Sequence, residues 1–242
     1  MIPFFRKIRK KMADDNKPMK YARYAIGEIV LVVIGILIAL QINTWNEERK
    51  QQIEINAALT QILNDLKQDK QVLDYFDKRE SDCILYLKEV SNNRYESVGL
   101  DTILKSLDHY MYFTKNNNGY SSLKESGKIS NIDNLILKSS LTNYYEMTYE
   151  SLMEASRFSG IFTNNRVIPY VIDNLEPNID NLVSKERVLE KMETSSLRSL
   201  VNYQIGVKNY SLGQLDIGIK NNIDLSKLIE DQLAGKNRTY KE

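Results

Sequence analysis

A single cysteine, Cys83, and a single histidine, His109, remove most of the usual chemistry from this chain of 242 residues. One thiol leaves no internal disulfide, even in an oxidising compartment. One thiol with one imidazole assembles neither an ordinary zinc site nor a Cys–His nucleophile couple, so no cofactor, metal ligand or catalytic residue is assigned and the expectation is a protein that is not an enzyme. Only carboxylate chemistry stays open. An excess of charge is missing as well: of 33 basic and 32 acidic residues, eight basic and three acidic fall in residues 1–44, which leaves 25 against 29 in the rest. That balance fits neither a nucleic-acid surface nor an acidic tail. Strand patterns are also scarce, because no run of β-branched residues alternates outside one apolar stretch.

That stretch is AIGEIVLVVIGILIALQINT, Ala25 to Thr44, whose strongly polar members are Glu28 near its start and Gln41, Asn43 and Thr44 at its end. It has the length of about 20 residues that an α-helix needs to cross a bilayer. Tyr21 and Tyr24 stand at one membrane interface and Trp45 at the other, and the helical rise from Tyr24 to Trp45 is roughly 31 Å. The flank before the span holds Arg6, Lys7, Arg9, Lys10, Lys11, Lys17, Lys20 and Arg23 against Asp14 and Asp15, whereas Glu47, Glu48, Arg49 and Lys50 balance after it. The positive-inside rule therefore places residues 1–23 in the cytoplasm, 24–45 in the inner membrane and 46–242 outside, in the periplasm of a Gram-negative cell. A cleaved signal peptide would need a shorter basic region, a shorter apolar stretch and a small-x-small site before Trp45, so a retained anchor is expected. No cysteine near the span offers a lipid attachment point.

Phe4, Phe5, Ile8 and Met12 recur at helical spacing opposite the basic residues. They form either a helix lying on the inner leaflet or an unstructured topology signal. Ala13 to Pro18 reads as a polar hinge, with Asn16 and Pro18 suited to starting the spanning helix. Within the span Gly27, Leu31, Gly35 and Ala39 recur every four residues, a small face on which another helix can pack closely. Glu28 lies beside it. An ionisable group at that depth is either a polar contact at a helix interface, a proton-active site, or a side chain that snorkels to the cytoplasmic interface.

Beyond the span the periodicity is helical. Ile55, Leu59, Ile62, Leu66, Asp69, Leu73, Phe76, Glu80, Cys83, Leu87 and Val90 alternate spacings of four and three, and neither glycine nor proline interrupts Trp45 to Val90. A helix of about 45 residues, roughly 65–70 Å, follows the span. The stripe serves either a coiled coil between subunits or an intramolecular bundle; Leu63, Val72 and Ile84 widen it and favour the bundle. Asp69 and Glu80 on the seam read as water-reached gaps. Cys83 reads as a small core residue and His109 as a surface or half-buried polar group.

Asp101 is placed to cap a short helix through Tyr112, Asn116 to Gly119 marks a turn, and Tyr120 to Ser126 reads as helical turns stopped by Gly127. Ser122 to Ser130 ends in GKIS, but it lacks the first glycine and the preceding strand of a phosphate loop. A second long helix is expected from Asp133 to about Leu175, kinked or broken by Pro169 near Arg166. Glu176, Pro177 and Asn178 read as a turn, and a last helix from Ser184 toward Leu233 is expected to break around Gly213 or Gly218. The fold class is all-α, one transmembrane helix followed by a long-helix bundle or coiled coil.

The segment GEIVLVVIGILIALQINTWNE (Gly27 to Glu47), preceded by MIPFFRKIRKKM and followed at a distance by SLKESGKIS and LTNYYE, resembles a family of single-pass proteins of unknown function in Bacteroidota. The resemblance implies a membrane-anchored, mainly helical protein of a Gram-negative envelope, and it carries over no activity or site. Asp101-Thr102-Ile103 also matches the Asp-Ser/Thr-aliphatic pattern for O-linked glycosylation of exported proteins in that phylum, which makes Thr102 a candidate acceptor beside the plainer reading as a helix cap.

The function expected from these features is a scaffold or interaction protein of the cell envelope that binds itself or other envelope proteins. A stator-like part of an ion-coupled complex that uses Glu28 and a ligand-sensing bundle are the alternatives. Nucleic acid is not an expected partner.

Overall fold

The computed structural model describes residues 18–92, 94, 98–176, 183–192 and 194–235. The basic amphipathic segment 1–12, most of the hinge before Pro18, and Pro177 and Asn178 lie outside them. Every regular element among the described residues is helical. Helix α1 (Pro18–Ser91) is followed by α2 (Leu100–Asp108), α3 (Asn118–Glu125), α4 (Leu135–Thr142), α5 (Tyr149–Phe162), α6 (Ile168–Leu175), α7 (Lys185–Met192) and α8 (Ser195–Leu233). The chain divides into two compact units, Met1–Glu54 and Ile55–Glu242.

In the first unit the apolar stretch is helical and bare. None of its apolar window is buried against the rest of the chain, and Leu31 and Ile29 expose 73% and 63% of their surface. A row of large apolar side chains in that state is unstable in water and natural in lipid. This is the one helix among the described residues long and apolar enough to cross a membrane.

The second unit has a core. The seam of α1 is buried by the chain's own later helices, with Leu59, Ile62, Leu66, Leu73, Cys83 and Leu87 all at 0% exposure. The 3.5-residue stripe therefore packs inside one chain. Of the three off-seam residues, Ile84 is buried, Leu63 is packed at the core's edge and Val72 is exposed. Two apolar clusters result. One joins Ile55 to Leu73 with α4, α5 and the C-terminal part of α8; the other joins Leu87 and Val90 with α2, Val167, Leu175 and the start of α8. Seam positions Asp69 and Glu80 were expected to reach water, and the structure corrects this: they are 3% and 0% exposed.

Several boundaries also differ from expectation. Helix α2 begins after Gly99, whose φ of 80° suits only glycine, and Asp101 sits inside the first turn, where it accepts from Lys105 rather than capping the helix. The helix stops at Asp108, not Tyr112. Residues 109–117 run as an extended strap in which Met111 and Phe113 point inward while Tyr112 is 64% exposed. Asn117 is the cap of α3 instead of part of a free turn. Gly119 is required there because an added Cβ would fall 2.9 Å from both Cγ1 and the backbone nitrogen of Ile62. Gly127, at φ 71°, ends the α3 region in a left-handed conformation, as expected.

Helix α4 is capped by Asn134, whose side chain accepts from the amides of Ile136 and Leu137. The path from Leu135 to Leu175 stays helical, with π-helical turns at Asn143–Thr148 and Thr163–Val167. The second of these precedes Pro169. A π turn shifts the hydrogen-bond ladder by one residue, which accommodates the missing proline N–H without breaking the helix. Glu176 ends α6 in the left-handed region at φ 51°. The expected break at Gly213 or Gly218 is absent: α8 passes through both, and the interruption falls between α7 and α8. Gly218 is instead packed against Leu152, 3.1 Å from the position of an added Cβ.

Candidate functional site

Two networks link polar groups buried in the second unit, both started by an acid on the apolar seam of α1. Asp69 Oδ2 accepts from Tyr144 at 3.0 Å. The Tyr149 hydroxyl lies 2.5 Å from the same oxygen and 2.9 Å from the carbonyl of Asn116, with a single proton to give. Asn222 of α8 closes the network by donating to Leu66 O and to the Tyr144 hydroxyl, both at 2.9 Å. One turn earlier, Asp65 accepts from the amide of Gly119 at 3.0 Å and so fixes the start of α3.

Burial pushes the Asp69 carboxyl up to about 6, against the two tyrosine hydrogen bonds that favour its ionised form. Both tyrosines are shifted upward, first by burial and then by Asp69. The π turn Asn143–Thr148 is the local device that turns Tyr144 and Tyr145 into the core.

The second network lies between the two apolar clusters. Lys208 of α8, fully buried, donates to Glu80 Oε2 at 3.2 Å and to the carbonyl of His109 at 2.6 Å. Gln204, one turn earlier on α8, donates to the carbonyl of Leu107 and to Thr163. The amide of Phe113 donates to Ser156. Side chains of α5 and α8 thus satisfy the backbone of the non-helical strap, which has no ladder of its own. His109 stacks on Phe76, and its Nε2 is 3.4 Å from Glu80 Oε1. Burial, then Lys208 and Arg79, pull the imidazole down to about 4, so near neutral pH this is no ion pair. Burial raises the carboxyl of Glu80, opposed by Lys208.

On the surface, the two distant segments SLKESGKIS and LTNYYE meet. Glu146 Oε1 accepts from the Tyr120 hydroxyl and from Lys124, each at 2.6 Å, and the rings of Tyr120 and Tyr145 stack 4.6 Å apart. They border a shallow open cleft of about 650 Å³ that also includes Lys115 and Ser121.

The residues singled out in the apolar stretch lie in the first unit. Gly27, Gly35 and Ala39 are exposed and Glu28 is half-buried in the first unit, and an added Cβ at Gly27 or Gly35 would meet nothing within 4 Å. Tyr24 is half-buried and Trp45 61% exposed; of Tyr21 only the helical backbone is described. Thr102 is half-buried in α2, with its carbonyl accepting from Ser106. Cys83 is a buried free thiol, as expected. Among the described residues no group of three His, Cys, Asp or Glu side chains is arranged to hold a metal ion.

These features describe an all-α chain with one bare apolar helix and a self-contained helical unit built around buried polar networks. The chain belongs to a family of unknown function, DUF6090, whose match covers residues 28–164 and so includes α1 from Glu28 onward, the strap and α2 to α5. No curated protein and no solved structure matches it.

Proposed function

We propose that this protein is a non-enzymatic, membrane-anchored scaffold or interaction protein of the cell envelope. It crosses the inner membrane once, with its basic N-terminal segment in the cytoplasm and residues 46–242 in the periplasm, and it acts by associating with itself or with other envelope proteins. The observation that carries this reading is the apolar helix, which is long enough to span and which nothing among the described residues covers. The charge asymmetry across it supplies the orientation. Gly27, Gly35 and Ala39 form the face on which a second span packs, and Glu28 is the polar contact at that interface.

Crosslinking in native membranes, followed by identification of what is attached, tests the reading. Gly35→Ile should weaken association of the spans, and Glu28→Gln should preserve it because an amide still hydrogen-bonds. If Gly35→Ile changes nothing, the small face only meets lipid. If Glu28→Gln leaves assembly intact but removes function, protonation of Glu28 matters and a stator-like role replaces the scaffold.

A further inference from the structure

Residues 109–117 join α2 to α3 without helix or strand, so their carbonyls depend on side chains or on water. Side chains hold one at each end of the strap: Lys208 that of His109, and Tyr149 that of Asn116. The Lys208 ammonium has three protons to give and holds its end whatever the charge of Glu80. Tyr149 has one, and Asp69 Oδ2 competes for it at 2.5 Å against 2.9 Å for the carbonyl. Among the described residues, Tyr149 is the one donor to that carbonyl.

A further proton on Asp69 decides which acceptor wins. While Asp69 is ionised, Tyr144 and Tyr149 both donate to it, because a hydrogen bond to a carboxylate is roughly twice as strong as one between neutral groups. The Asn116 carbonyl then goes without its donor. Once protonated, Asp69 has an O–H of its own to give to the Tyr149 oxygen, and Tyr149 turns its proton to Asn116. Tyr144 goes on donating to the carboxyl and accepting from Asn222 in both states. One proton comes from solvent, and no covalent bond of the backbone changes.

We propose that Asp69 and Tyr149 form a proton-operated clip on the strap, closed when Asp69 is protonated and open when it is ionised. The Asn116 side chain donates to Asp65 O and Gln68 Oε1, each at 3.2 Å, which keeps the carbonyl within reach of Tyr149 in both states and makes the clip reversible. The titratable groups facing Asp69 are Asp65 on α1 and Tyr144, Tyr145 and Tyr149 from the π turn and α5, with Tyr120 of α3 stacked behind Tyr145. On the remaining sides, α8 contributes Asn222 and the strap Asn116, both neutral. Burial and the neighbouring Asp65 favour the protonated, closed form and bring the carboxyl to about 6, so the clip changes state between roughly pH 7 and 5. Lys115 and Asn117, on either side of the clipped carbonyl, line the cleft of about 650 Å³ with Ser121 and Lys124. The clip therefore sets how firmly one wall of that cleft is held. It lies wholly within the second unit and does not depend on the membrane reading.

Amide hydrogen exchange of residues 111–117 in the full chain reads the clip as local opening. Rates are corrected for intrinsic exchange at each pH and divided by those of α7, which packs in the other apolar cluster. From pH 7 to pH 5 this ratio should fall roughly two- to tenfold, the effect of one net hydrogen bond. Asp69→Asn, whose amide also donates to the Tyr149 oxygen, should give at pH 7 the low ratio the parent reaches at pH 5, and no dependence on pH. Tyr149→Phe should give a high ratio at both pH values; if it does not fold, the parent and Asp69→Asn decide. A ratio in the parent that stays constant or rises toward pH 5 overturns the proposal. A pH dependence that survives in Asp69→Asn would belong to Glu80, Lys208 and His109 at the other end of the strap and would equally overturn it.

Discussion

Asp69 and His109 titrate in opposite senses over the same pH window. The carboxyl of Asp69 rises in the folded chain to about 6, so the folded state binds the extra proton and stability from this group is gained as pH falls from about 6 toward 4. The imidazole of His109 is lowered to about 4, so the unfolded chain binds the extra proton and stability from this group is lost as pH falls from about 6.5 toward 4. The two effects offset each other in the intact protein. Asp69→Asn should therefore lose stability more steeply than the parent between pH 6.5 and 4.5 in denaturant titrations, and His109→Gln less steeply. Parallel pH profiles for both variants and the parent would reject the assignment. The same two residues mark how far the sequence could be read. An acid on an apolar seam was visible, but it was read as a gap that water reaches, and the buried Lys208 gave no such signal. What the acids bind was not visible, because Tyr144, Tyr149 and Lys208 come from elements brought together only by the tertiary fold.

At the scale of elements, periodicity located the helices well and glycine misled about their ends. A break in α8 was expected around Gly213 or Gly218, since a glycine costs about 1 kcal/mol relative to alanine, yet burial along the inner face from Leu197 to Ile229 outweighs that penalty. Gly119 was expected to mark a turn and instead marks a close approach of α3 to α1 at Ile62. Gly119→Ala should lower stability by about 1–3 kcal/mol, as overpacking does, with an unchanged circular dichroism spectrum. A loss below about 0.5 kcal/mol would mean that α3 shifts freely and that its contact with α1 is loose. Leu66, fully buried in the first cluster, is the matching test of the seam. Leu66→Ala should cost about 2–5 kcal/mol if the core of one chain surrounds it, and a loss that depends on protein concentration would point to an intermolecular coiled coil instead.

For the whole molecule, residues in contact within one segment were legible and those between segments were not. The long apolar helix could be read because its signal is local: length, apolar content and flanking charge all lie between Arg6 and Lys50. The strap 109–117 could not, because its conformation is set by Lys208, Ser156 and Tyr149, which hold its backbone from other helices. The central claim is that one span divides the chain, with the basic segment on the cytoplasmic side and the helical unit on the other. Fusing alkaline phosphatase, which is active only outside the cytoplasm, after Glu242 tests it most directly. The account predicts an active phosphatase at that position and an inactive cytoplasmic reporter in its place; an inactive phosphatase with an active cytoplasmic reporter would contradict it.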